Sequence, residues 1–235
     1  MFLEKMLHSQ GFGARKHCQQ LIKNGAVQIH GEIKVNPKEK LDLTNLSFSV
    51  YGKEYQYREK VYIALSKPKG YECSHQATHH FSVFELFDDI LYERGIQCVG
   101  RLDQDTTGLL LLTDDGQFLQ ALTHPKKHVA KVYQMHAADP VTNEQILKLQ
   151  EGVELRNETG IFSATNVRRL ADKQLEMTIH QGVYHQVKRM LAAVGNKVEQ
   201  LHRYQIGALA LPKLKEGEWV YLTEEQVNQA KYRDL

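Results

Sequence analysis

Four consecutive leucines, Leu109 to Leu112, constrain the fold of this chain more than any other feature. No polar residue alternates with them, so a strand through this segment has to be buried on both faces. The stretch "VGRLDQDTTGLLLLTDDG" flanks them with charge: Arg101, Asp103 and Asp105 come before, Asp114 and Asp115 after. A carboxylate at the mouth of a buried strand is either a solvated loop residue or a charge held near low-dielectric surroundings, where its neighbours tune it. Asp114 and Asp115 have a structural explanation, because "TDDGQFLQAL" reads as a helix start, where an aspartate accepts a backbone N–H and complements the dipole. Asp103 and Asp105 have no such explanation, and the residues alone do not rank them.

With 235 residues, of which 42% are hydrophobic, the chain is long enough for two units with proper cores. No apolar run approaches the roughly 20 residues that cross a bilayer. The N-terminus "MFLEKMLHSQGFGARKHC" lacks the pattern of a secretory signal, so the expectation is a soluble, cytoplasmic protein. The cysteines Cys18, Cys73 and Cys98 are odd in number and widely spaced, which argues against a disulfide framework and fits a reducing compartment. The formal charge of +2 hides an asymmetry: residues 1 to 40 hold seven Lys/Arg against three acids. A basic unit ahead of a near-neutral body suits a polyanion-binding module joined to a unit with another task.

Along the chain, Phe2 to Ser9 reads as a short helix and "ARKHCQQLIKNG" as a second one, stopped by Gly25. "AVQIHGEIKVN" reads as a hairpin turning at His30-Gly31. A boundary falls near residue 58. Beyond it, short apolar strands mix with helices at Phe118–Leu122, Asn143–Gln150, Tyr184–Val194 and Glu224–Lys231, without regular βαβ spacing. The fold class is therefore α+β: a small N-terminal domain, 1–58, and a larger domain, 59–235, built on a mostly antiparallel sheet with flanking helices.

Helix, helix and hairpin, with "LIKNGAVQIHGEIKVNP", resemble the S4 RNA-binding domain. That resemblance implies RNA contacts from Arg15, Lys16 and Lys23 on the second helix. "GRLDQDTTGLLLLTDDG" is similar to the pseudouridine synthase signature, and "SKPKGY", "KVY" and "GVYHQVKRMLAAVG" follow the family's order around it. The ordered set resembles the RsuA/RluB/RluE/RluF family, and within it the branch that modifies 16S rRNA of the small ribosomal subunit.

Several expectations follow from the resemblance. The activity is the conversion of a uridine to pseudouridine in rRNA, without metal or cofactor. Asp103 carries the chemistry, as nucleophile toward the sugar or as a base. Lys188 is its cationic partner, with Arg189 next door as a competitor for that role or as a phosphate ligand. Tyr133 stacks on the uracil, and Arg101 enters the RNA to hold the target base out. The rival class is a non-catalytic RNA-binding or assembly factor on the same scaffold. A metal role for Cys73, His75, His79 and His80 in "CSHQATHH" finds no CxxC or HExxH spacing to support it.

Overall fold

Leu109 to Leu112 lie in the strand Thr106–Thr113 and expose nothing on either face. The structure, a computed structural model, describes residues 1–233 apart from the side chain of Pro125. Its contacts divide the chain into Met1–Val61 with Phe87–Gln97, and Tyr62–Leu86 with Cys98 onward.

In the first unit, the helices Leu3–Ser9 and Arg15–Lys23 bury Leu3, Met6 and Leu7 with Cys18, Leu21 and Ile22. They share this core with Val27, Ile29, Phe48 and Val50 from an antiparallel sheet in the order Glu32–Lys34, Val27–Ile29, Ser47–Val50, Lys53–Gln56. The expected hairpin turns at His30 and Gly31, whose φ values of 51° and 80° are the left-handed pair that matches strand twist in a two-residue turn. Arg15, Lys16 and Lys23 remain on the solvent side of their helix.

A single cut near residue 58 does not describe these contacts, because Phe87–Gln97 packs with the first unit. Its short helix, Asp89–Glu93, is capped by Asp88. Arg94 then donates to the carbonyls of Arg58 and Glu59 at 2.6 and 3.0 Å. Gly11 allows the approach: a Cβ there would lie 2.0 Å from the carbonyl oxygen of Ile90. Linear pattern shows a short helix poorly and its packing partner not at all.

The second unit is built on a sheet in the order Thr165–Ala171, Gln174–Ile179, Lys131–Ala137, Val198–Ile206, Thr106–Thr113, Tyr62–Lys67, Trp219–Tyr221. Its pairs along this path are antiparallel except at one seam, where Val198–Ile206 runs parallel to the leucine strand. Leu109 and Leu111 pack on Phe118, Leu122, Ile206 and Val227, while Leu110 and Leu112 are buried on the other face. At about 1.5–3 kcal/mol for each fully buried leucine, this strand is a rigid platform.

The seam also explains a residue inside the motif. Gly108 has φ 103°, and a Cβ on it would meet the Arg203 carbonyl oxygen at 2.2 Å. The four later helices lie close to their expected positions, at Gly116–Thr123, Asn143–Glu151, Gln186–Ala193 and Glu224–Lys231. Asp115 caps the first of them, accepting from Gln117 N–H at 2.9 Å. No helix among the described residues is long and apolar enough to cross a membrane.

Candidate active site

The loop before the leucine strand is fixed from below by a buried lysine. Lys67 closes the strand Tyr62–Lys67, pairs in register with Gly108 and exposes nothing to solvent. Its ammonium donates to the carbonyls of Pro68, Gln104 and Thr106 at 3.0, 3.3 and 2.9 Å. Gly70 N–H adds a bond of 2.7 Å to the Gln104 carbonyl. "SKPKG" thus grips the backbone on both sides of Asp105. Burial holds the Lys67 pKa below the usual lysine range, and three carbonyls offset part of that cost.

The helix Gln186–Ala193 supplies the other side. It buries Gln186, Val187, Met190 and Leu191, so Lys188 projects from the opposite face. Lys188 Nζ lies 3.0 Å from Asp103 Oδ2 and 2.6 Å from Asp105 Oδ1. Burial lowers the lysine pKa, but its hydrogen bonds to Asp105 and Asp103 win and raise it above the ordinary value. At Asp105 burial opposes the charge, and the Lys188 bond overcomes it and holds the carboxyl below the usual range. His185, at the helix N-cap with φ 51°, places Nε2 3.2 Å from Asp103 Oδ1. Asp103 is therefore held at both oxygens. Arg189 turns away, to Glu158 at 3.0 Å and to the Tyr184 and Arg156 carbonyls.

Asp103, Asp105, Lys188, His185 and Arg101 line a cleft of about 970 Å³, whose wall includes Lys131, Tyr133 and Arg203. Arg101 is exposed there, whereas Tyr133 is 7% exposed. Tyr133 and Arg203 are cross-strand neighbours in the antiparallel pair, and Arg203 and Gly108 in the parallel one. Arg203 donates from Nε to the Leu109 carbonyl at 2.9 Å and from Nη1 to the Tyr133 hydroxyl at 3.4 Å. Burial lowers Lys131 to about 8, with nearby Arg203 adding to the effect. A cleft with a paired carboxylate, an aromatic wall and several cations can admit a polyanion and engage one base.

The family model described as RNA pseudouridylate synthase matches residues 61–193. The chain belongs to this pseudouridine synthase family. The synthase is 38% identical to ribosomal small subunit pseudouridine synthase A of Vibrio vulnificus, over 97% of this chain and 98% of that one. It is 37% identical to the uncharacterized RNA pseudouridine synthase YtzG of Bacillus subtilis, over 97% of each. A solved pseudouridylate synthase covers 98% of the chain at 36% identity, with a TM-score of 0.70.

The structure brings Asp103, Lys188, Tyr133 and Arg101 of the synthase to one cleft and leaves Arg189 pointing elsewhere. Arg15, Lys16 and Lys23 belong to the other unit. Sequence reading missed Lys67, His185 and Arg203. Two of them sit inside quoted motifs, Lys67 in "SKPKGY" and His185 in "GVYHQVKRM", and that placement was the available signal. Arg203 had none, because a charged residue in a strand usually reads as solvent-facing.

Proposed function

We propose that this synthase converts one uridine of 16S rRNA to pseudouridine, with Asp103 carrying the chemistry. The observation that supports it most is the position of Asp103: a carboxylate in the cleft, held by Lys188 at one oxygen and His185 at the other. The full-length likeness to a relative named for the small subunit supports the choice of RNA.

In this reading the target uridine leaves its helix and enters the cleft, Arg101 taking its place and Tyr133 contacting the uracil. The N1–C1′ bond breaks, the base turns, C5 bonds to C1′, and the C5 proton is released. Asp103 serves as nucleophile toward C1′ or as the base that takes a sugar proton, and Lys188, 3.0 Å from it, is its ion-pair partner in either role. The unit of residues 1–58 serves as an S4-like RNA anchor, with Arg15, Lys16 and Lys23 on phosphates.

The test is tritium release from 16S transcript labelled at uridine C5. Release by the wild type that disappears in Asp103→Asn, with RNA affinity kept, is the expected result. No release from 16S RNA or from assembling small subunits, but release from 23S RNA, would refute the substrate. RNA binding without release from any of them would favour the assembly-factor reading.

A further inference from the structure

An aromatic ring on the wall of the cleft stands open to solvent. Tyr184 is 71% exposed, and among the described residues it is the only large apolar side chain lining the cleft that is left so. A lone exposed tyrosine is common on protein surfaces and means nothing by itself. This one differs in how its backbone is held. Arg189 Nη1 donates to the Tyr184 carbonyl at 3.0 Å while pairing with Glu158 Oε1 at 3.0 Å, and Nη2 of the same guanidinium reaches the Arg156 carbonyl. On the residue before it, Val183 N–H donates to Gln186 Oε1 at 3.3 Å and the Val183 carbonyl accepts the Gln186 N–H at 3.2 Å. Gln186 is buried, so this grip is anchored in the interior. A wet ring on a fixed backbone can meet a flat ligand with little ordering left to be done.

The ring is also placed. One of its faces lies on the His185 imidazole, with centroids 3.7 Å apart and planes 20° from parallel. His185 in turn sets Nε2 3.2 Å from Asp103 Oδ1. Tyr184 is therefore one stacking layer removed from the ring that touches Asp103. Successive bases on a strand stack at about the same spacing, roughly 3.4 Å. Tyr133, at 7% exposed, is the deeper aromatic and suits the uracil itself. Tyr184 suits the nucleotide beside it. Extruding a uridine breaks its stacks on both sides and leaves a neighbouring base with a bare face, which an aromatic side chain can cover.

We propose that the open face of Tyr184 is a stacking site for one unpaired nucleobase adjacent to the target uridine. The proposal rests on the reading above that the target enters at Asp103. Every base has a π-face, so the site selects for a neighbour free to leave its helix rather than for a particular letter. It separates two tasks along the cleft: cations hold phosphates, and Tyr184 tests whether the strand next to the target is unpaired. Arg189, which lies beside the catalytic lysine in sequence, takes part only by holding the Tyr184 carbonyl.

The experiment compares wild type, Tyr184→Ala and Tyr184→Phe by filter binding to 16S transcript across salt concentrations and by tritium release. Stacking releases no counterions, so Tyr184→Ala should bind roughly 5- to 150-fold more weakly at every salt concentration, with the log–log slope unchanged. In turnover the loss should fall on KM rather than kcat. Tyr184→Phe keeps the ring and should recover most of it. With the modified uridine mapped, transcripts lacking one base at a time on either side identify the partner. At one adjacent position the missing base should weaken the wild type by the same factor and leave Tyr184→Ala unaffected. The proposal fails if Tyr184→Ala matches the wild type in affinity and KM, or if its loss falls on kcat alone, the mark of a ring that only props His185 against Asp103. It fails equally if every adjacent missing base costs both proteins the same. A wild type that releases no tritium from any RNA would refute the activity, and the salt series with the Ala and Phe variants would still decide for or against the stacking site.

Discussion

Replacing Lys188 by methionine keeps most of the side-chain volume and removes the one ammonium shared by Asp103 and Asp105. At the 3.0 Å separation from Asp103, the gross attraction is about 1.4 kcal/mol at the dielectric of water and about 5.5 kcal/mol at an effective value of about 20. The side chains of Lys188 and Asp103 keep 23% and 28% exposure, so water recovers part of the loss and the lower half of that range applies. A cost of about 2 kcal/mol is roughly a 30-fold loss of kcat/KM. The acid limb of the pH–rate profile should also move toward higher pH, because Asp105 loses the charge that holds its carboxyl below the usual range. Stability follows the same sign. Asp105 has a depressed pKa in the fold, so its contribution is present above the unfolded carboxylate value and is lost as pH falls through the folded one. The wild type should therefore lose more thermal stability than Lys188→Met on acidification below about pH 4. Initial rates of tritium release across pH, with Lys188→Arg as the charge-conserving control, decide the matter. A Lys188→Met enzyme with wild-type kcat/KM and an unmoved acid limb would refute the reasoning.

Asp103→Asn should abolish turnover with RNA affinity nearly intact, whereas Asp105→Asn, which removes only one side of the Lys188 bridge, should retain measurable turnover; equal loss in both would remove the preference for Asp103. Neutralising Arg15, Lys16 and Lys23 to Gln should reduce the log–log salt slope of RNA binding by roughly 0.7–0.9 per phosphate contact, read by filter binding; an unchanged slope would place the RNA elsewhere. Gly108→Ala should destabilise by about 3 kcal/mol or more, since its Cβ meets a backbone oxygen at 2.2 Å; a normal melting temperature would show that the seam can open. Lys131 should lose its charge as pH rises through about 8, so RNA affinity should fall across that window in the wild type and less so in Lys131→Met.

What could be read in the sequence was whatever one segment decides by itself. Leu109 to Leu112 admit no solvent-facing register, so their two-sided burial follows from four letters. The caps at Asp115, Thr142 and Thr223 are equally local, each side chain meeting an N–H two or three residues ahead. The site was legible where a motif spells it out, and silent where its parts meet only through the sheet. Arg203 reaches Leu109 and Tyr133 because a parallel seam and an antiparallel pair share one strand, and no periodicity within "LHRYQIG" carries that information. The cysteines illustrate the same limit from the other direction. Wide spacing and odd number argue against a stapled framework, and Cys18, Cys73 and Cys98 stand as free thiols in the fold. Yet spacing along the chain says nothing about place in space: the fold sets the Cys73 sulfur 3.4 Å from the Leu102 N–H, next to Asp103, and buries Cys18 in the other unit. Composition therefore tells which compartment a cysteine tolerates, while its reactivity is set by the cations and amides that only the folded chain puts around it.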